Sequence, residues 1–348
     1  MHLLLAAAGC GPLLIEELRQ AQPSARHKLR DERWVESDTP LEEACGHGLA
    51  FARQVFVEAR ACAAASVREW STLLAGAVRS RVPDGMPWRV HVAPCYGEGT
   101  AGSHRCELIL EAMRSALKRS ERRRLKALVD AATPFSSADS LVQLALTAPD
   151  RGLISAAAAP VPFECRRVMS PFPLGEVPVA SDKAAPSRAF AKLVEAELRL
   201  GRRIEPGEMC VDLGASPGSW SYVALRRGAR VTAVDRSPLR DDLMREPRLE
   251  FQRGDAFKFE PAAPVDWLLC DVIAAPERSI GVLLDWLRER RMRRFVVTIK
   301  FKGSSDYAKL NELKQELPAL CDEWFLTRLC ANKNEVCVAG ELGSHGMT

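Results

Sequence analysis

The sequence predicts an α/β protein whose carboxy-terminal half is built on a largely parallel sheet, with an α+β half ahead of it. Two observations carry this. From about residue 188 onward, apolar β-runs alternate with helical stretches: MCVDLG, RVTAVD, LEFQRGD, VDWLLCD, RFVVTIK and NEVCVAG. Continuous apolar strands joined through helices mark a sheet covered on both faces. Before them lies a proline-rich stretch from Ser155 to Arg188, whose prolines forbid regular helix or central strand and mark an extended connector.

The opening MHLLLAAAGCGPLLIEELRQ reads as a strand, a Gly-Pro turn and a helix. Its apolar run is short and has no Lys/Arg-rich lead, so a signal peptide is not expected. LAFARQVFVEAR completes an α+β subdomain over residues 1–70. A second subdomain, 71–158, takes an amphipathic helix around Val67–Val78, a strand WRVHVAPC and a long helix from His104 to Ala131. Residues 159–187 form the connector, with the change of texture near residue 175, and 188–348 form the α/β domain. A length of 348 residues allows two or three domains. No segment approaches the apolar length needed to span a bilayer, so a soluble protein is expected, and unpaired cysteines fit a reducing cytoplasm.

Hydrophobic residues make up 47% and charged residues 27%, a globular mixture, and a net charge of +4 excludes a general polycation. Any nucleic-acid surface must then be a local patch. Eleven cysteines include no C-x-x-C pair and cannot all pair within the chain, which points to buried free thiols. One patch stands out. EAMRSALKRSERRRLKALVD carries Arg114, Lys118, Arg119, Arg122, Arg123, Arg124 and Lys126 around apolar Leu117, Leu125 and Leu128. It reads either as a solvated helix face or as a phosphate-tracking surface.

CVDLGASPGSW is the most informative string. A strand over Met209–Leu213 ends in Gly214, the chain turns tightly through Ala215, Ser216, Pro217 and Gly218, and a helix starts near Trp220, with Ser219 between. Glycine permits close backbone approach to a ligand, and a helix N-terminus offers unused N–H donors. The proline and the glycine spacing separate this loop from a G-x-G-x-x-G dinucleotide binder. Asp235 ends the next strand about twenty residues later, where a carboxylate can bind both hydroxyls of a ribose. Asp255 follows a third strand, within reach of an adenine amino group, and Asp271 ends a fourth, VDWLLCD. Each could instead be a cap or turn residue. Together they point to a nucleoside cofactor.

Lysine seldom interrupts a buried strand, yet Lys300 ends the apolar run RFVVTIK. Lys192 lies on the helix SRAFAKLVEAELRL, and Glu335 opens the strand NEVCVAG. With Asp271 they give the order Lys192, Asp271, Lys300, Glu335, two cations and two anions able to neutralise one another in one pocket.

This order, with SRAFAKL ahead of a G-x-x-P-G loop, resembles the ribose 2′-O-methyltransferases of the FtsJ-like Rossmann class. More closely, the chain resembles the bacterial 23S rRNA cytidine 2′-O-methyltransferase M family. The resemblance implies a ferredoxin-like subdomain over 1–70 and a THUMP-like RNA-binding subdomain over 71–158. It implies a Rossmann-like methyltransferase domain over 188–348 and 23S rRNA as partner, with no metal and no membrane; a monomer is expected. S-adenosyl-L-methionine would be held by Ser187, Gly214, Ser216, Pro217, Gly218, Ser219, Asp235, Asp255 and Asp271. Lys300 would accept the proton of a ribose hydroxyl, beside Lys192, Asp271 and Glu335. The family usually carries Cys at position 216 and Gly at position 219, where this chain has serines. A lysine base requires a lowered pKa; burial and Lys192 push that of Lys300 down, while Asp271 and Glu335 push it up. The alternatives are a base-directed RNA methyltransferase, although CDVIAAP lacks the aromatic of an N/D-P-P-Y motif, or a catalytically inactive RNA-binding assembly factor.

Overall fold

The computed structural model describes residues 2–46, 48–97, 99–130, 135–331 and 333–343, which fall into two units, 1–176 and 177–348. In the first unit, β1 (His2–Ala6), α1 (Gly11–Ala21), β2 (His27–Leu29), β3 (Trp34–Ser37), α2 (Leu41–Gly46) and β4 (Ala52–Phe56) follow one another as βαββαβ. They make an antiparallel sheet of order β2-β3-β1-β4. A second sheet, of order β5-β8-β7-β6, comprises β5 (Arg60–Ala63), β6 (Trp88–Pro94), β7 (Ser140–Ala148) and β8 (Arg151–Ala157). Here β6 and β7 run parallel, and α3 (Val67–Arg81) and α4 (Ser103–Ser120) supply much of the core. The second sheet thus begins at β5, ahead of the 70/71 division expected from sequence.

Two further differences have local causes. The long basic helix breaks at Glu121, whose φ of −137° is not helical, and a short α5 (Arg122–Lys126) follows. Its expected end at Ala131 lies outside the described residues. The connector is not wholly extended either. α6 (Phe163–Val168) fits between prolines, with Pro162 at its N-cap, where a missing N–H costs nothing. No disulfide joins any of the eleven cysteines, and Cys330 alone is exposed. Among the described residues no helix is long and apolar enough to cross a membrane.

The second unit contains α7 (Phe190–Leu200), β9 (Met209–Leu213), α8 (Ser219–Arg227), β10 (Arg230–Asp235), α9 (Asp241–Met244) and β11 (Leu249–Arg253). β12 (Val265–Cys270), α10 (Pro276–Arg288), β13 (Met292–Lys300), α11 (Leu310–Leu320), β14 (Cys321–Thr327) and β15 (Glu335–Leu342) complete it. The sheet order is β11-β10-β9-β12-β13-β15-β14, with β9 to β13 parallel and β15 antiparallel between β13 and β14. The winding of the chain across the sheet therefore reverses between β9 and β12. That is where doubly wound sheets open a ligand crevice beyond the strand C-termini. Trp267, Leu269, Val296 and Cys337 pack under α7 and α8, whose Leu193, Ala196, Trp220 and Ala224 are likewise buried.

Candidate active site

The loop from Gly214 to Gly218 leaves β9 on one side of this reversal. Gly214 (φ +74°) and Gly218 (φ +107°) occupy the left-handed region. A Cβ at Gly214 would stand 2.4 Å from Val272, and one at Gly218 2.4 Å from Leu243. Packing against the chain itself therefore demands these glycines, besides any approach of a ligand. Ser216 N–H donates to Asp235 Oδ2 at 3.0 Å, and Ser237 N–H donates to Asp235 Oδ1 at 2.9 Å. Asp235 holds the loop, and each of its oxygens retains acceptor capacity. Ser187 and Ser219 share a hydroxyl–hydroxyl bond of 2.7 Å, and Pro217 lies between Ser216 and the Gly218 N-cap of α8.

Asp255 is more committed. It caps a 3-10 turn by accepting from Phe257 N–H at 3.1 Å and pairs with Arg236 at 2.9 Å. The Phe257 amide and the Arg236 charge hold its carboxyl below the usual range. Asp212, which no motif singles out, lies wholly buried on β9 and accepts from Ser221 Oγ at 2.6 Å. Burial raises its pKa to about 7 against the bonds from Ser221, with the charges of Asp271 and Asp235 adding to the rise.

On the other side of the reversal, Lys192, Asp271, Lys300 and Glu335 meet. Lys192 Nζ lies 3.1 Å from Asp271 and 2.6 Å from Glu335 Oε1. Lys300 Nζ lies 2.5 Å from Asp271 Oδ1 and 2.6 Å from Glu335 Oε2. The four alternate in sign, each cation touching both anions, and their side chains are 7–20% exposed. Geometry follows from register. Lys300 and Glu335 are directly opposed on the antiparallel β13–β15 pair, and Thr298 shares the face of Lys300 two residues back. Thr298 donates to Asp271 and accepts from Lys300 Nζ at 3.2 Å, a participant found by no motif but visible in the period-2 spacing.

One expectation is corrected here. Burial does press the Lys300 pKa down, but Asp271 and Glu335 outweigh it and the net shift is upward. The same pairing works on Asp271, where burial would raise the pKa and the two lysines prevail to lower it. At rest Lys300 and Asp271 thus hold each other's charge, within a set whose four members alternate in sign.

Asp212 yields a stability prediction. Its folded pKa of about 7 exceeds the unfolded value, so the folded state favours the protonated acid and stability declines as pH rises from about 4 to 7. Asp212→Asn should remove that decline and be relatively more stable at pH 8 than at pH 5. The shift of about three units sets an upper bound of roughly 4 kcal/mol on the change between these limits. Denaturant titrations of both proteins at the two pH values measure it.

Residues 185–339 match the FtsJ-like methyltransferase family. The ribosomal RNA large subunit methyltransferase M of Laribacter hongkongensis is 37% identical over 156 residues, 43% of this chain and 44% of that protein. The protein of the same name from Halorhodospira halophila is 42% identical over 132 residues, 37% of this chain and 39% of that one. Each match thus spans less than half of the relative's own length. Among solved structures, TrmN from Thermus thermophilus aligns over 98% of this chain and 99% of that one at 19% identity, with a TM-score of 0.33. Over residues 185–339 the chain is thus similar to the FtsJ-like methyltransferases, and over less than half of its length to the ribosomal RNA large subunit methyltransferases M.

Proposed function

We propose that the protein transfers a methyl group from S-adenosyl-L-methionine to a ribose 2′-hydroxyl of ribosomal RNA, in the cytoplasm, as a monomer. The observation that carries this is the Lys192, Asp271, Lys300, Glu335 cluster, set across the chain reversal from a loop whose donors and acceptors suit a nucleoside. A cytidine of 23S rRNA as target rests on the family resemblance. S-adenosylmethionine, when bound, supplies the methyl group and a sulfonium charge that weighs against a full ammonium at Lys300. Asp235 would take its ribose hydroxyls, Asp255 its adenine in competition with Arg236, and the N-terminus of α8 with Ser187, Ser216 and Ser219 the remaining polar groups.

A ribose hydroxyl attacks only as its proton leaves. Lys300 is assigned as the acceptor, oriented by Asp271, Glu335 and Thr298. Since its pKa is raised, it must first lose its own proton, and the neutral fraction at pH 7 is small. General-base help supplies about 10²–10⁴-fold in rate, whereas alignment of reacting atoms can lower a barrier by about 7–11 kcal/mol. Positioning is the larger effect, so loss of Lys300 cripples turnover without erasing it.

Three variants separate binding from chemistry. Asp235→Ala and Asp255→Ala should each weaken S-adenosylmethionine binding about ten- to a hundredfold, with Asp255 the smaller loss. Lys300→Met should leave cofactor affinity within a few-fold while single-turnover transfer collapses. In the unaltered protein the transfer rate should rise about tenfold per pH unit between pH 6 and 8. Calorimetry and label entering an alkali-resistant dinucleotide of rRNA read these effects; near-normal transfer by Lys300→Met would refute the assignment.

The first unit is assigned as the RNA-binding part, ferredoxin-like and THUMP-like. Its βαββαβ order supports the former, and the basic surface supports RNA binding. α4 buries Cys106, Ile109, Met113 and Leu117 while exposing Arg114, Lys118 and Arg119. Arg122 and Arg123 are exposed too, but Arg124 is anchored. Its Nε donates to Val82 C=O at 3.1 Å, it pairs with Glu121, and its carbonyl accepts from Trp88 Nε1 at 2.7 Å. Charge reversal of Arg119, Arg122 and Arg123 should therefore weaken RNA binding without unfolding. Each lost phosphate contact should reduce the salt slope by roughly 0.7–0.9. An unchanged slope in filter-binding titrations would reduce this helix to a solvated face.

A further inference from the structure

Lys300 ends β13 and Glu335 opens β15, and the residue just beyond each charged one is cross-braced. Phe301 N–H donates to Asn334 C=O at 2.9 Å, and Asn334 Nδ2 donates to Phe301 C=O at 2.7 Å. Tyr307 closes the arrangement from the 3-10 turn Ser304–Lys309. Its hydroxyl donates to Asn334 Oδ1, and its ring lies against that of Phe301, with centroids 4.6 Å apart. The same turn reaches the start of α10 through Lys309 and Glu277, 3.1 Å apart. Strand ends of a ladder ordinarily fray. Here one more backbone bond and two side-chain bonds reinforce the ladder at the point where Lys300 and Glu335 must stay opposed.

We propose that Tyr307 and Asn334 are positioning residues that keep the ends of β13 and β15 in register, and with them Lys300 and Glu335; this rests on the reading of Lys300 as the base. Glu335 is the member most exposed to slippage. One of its oxygens serves Lys192 and the other serves Lys300, each at 2.6 Å, so a small drift of its strand end lengthens both contacts. The residue types fit the task. Asn accepts through Oδ1 and donates through Nδ2, two atoms of one short side chain; an ionised Asp cannot donate, and Ser has a single atom for both bonds. Tyr supplies both a ring for Phe301 and a donor for Asn334.

Tyr307→Phe in the full chain keeps the ring contact and removes the hydroxyl. The readouts are the titration of the Lys300 ε-carbon, followed by NMR in ¹³C-lysine-labelled protein, and the pH–rate profile of single-turnover methyl transfer. As the Glu335 carboxylate moves away from the ammonium, the Lys300 midpoint should fall by about half a unit or more. The rising limb of the rate profile should shift to lower pH by the same amount, while RNA affinity stays within about twofold. Asn334→Ala should reproduce both shifts and serves as the judge should Tyr307→Phe fold poorly. An unmoved midpoint and limb in a folded variant overturn the proposal. A midpoint that moves without the limb keeps the brace and overturns instead the reading of Lys300 as the base.

Discussion

Taking an ammonium or a carboxylate out of water costs several kcal/mol, and two of each at the end of a buried sheet could not be tolerated singly. They persist because their signs alternate, so that Lys192 and Lys300 each touch both Asp271 and Glu335. That alternation constrains the fold around it. Asp271 must leave β12 beside the final residues of β13, which the parallel register supplies by setting Cys270 opposite Val297. Glu335 must meet Lys300, and only an antiparallel β15 brings its first residue to the last of β13. A parallel strand there would carry its first residue to the far edge of the sheet.

The Gly214–Gly218 loop is coupled to this charge cluster through α7. Ser187, just ahead of the helix that carries Lys192, bonds Ser219 at the start of α8. Trp220 Nε1 donates to Ala189 C=O at 2.9 Å. The helix that follows the Gly214–Gly218 loop and the helix that presents Lys192 therefore move as neighbours with shared polar contacts. Asp235 binds the loop from the next strand. A ligand ordering that loop would be felt first at Ser219 and Ser187, and so at the base of α7.

Much of this is legible in the residue order, and what is not has physical causes. β9, β10, β12, β13 and β15 announce themselves as apolar runs, because central strands bury both faces. β11, at one edge, shows instead as Leu249 and Phe251 alternating with the exposed Glu250 and Gln252. β14, at the other edge, gives no clear run, because Asp322 is exposed and Glu323 partly so, which interrupts the apolar pattern at its start. The β7–β8 hairpin is hard to read although Pro149 and Asp150 separate its strands, since their alanines and leucines suit a helix as well as a strand. Lys300 stands out as an anomaly, a charge where burial forbids one. The sign of its pKa shift is not legible, since it depends on contacts of 2.5 and 2.6 Å that no spacing encodes. Arg124 shows the same limit. In a run of arginines only the fold tells which one has turned inward to Val82 and Glu121.

Asp212 and Asp271 show how one sheet can set two carboxylates to opposite purposes. They lie on and just past neighbouring strands, β9 and β12, and both are shielded from water. Asp271 has two lysines and Thr298 within reach, and remains ionised despite its burial. Asp212 has a serine hydroxyl, and burial with the nearby charges of Asp271 and Asp235 lifts it to about 7. A second fixed anion beneath the loop would compete with Asp271 for the lysines and raise the cost of keeping both carboxylates of the cluster charged. Protonation of Asp212, favoured below its pKa of about 7, eases that competition while its hydrogen bond to Ser221 still ties β9 to α8. What decides the charge of each acid is the presence of a cation in contact, since depth of burial alone would have neutralised both.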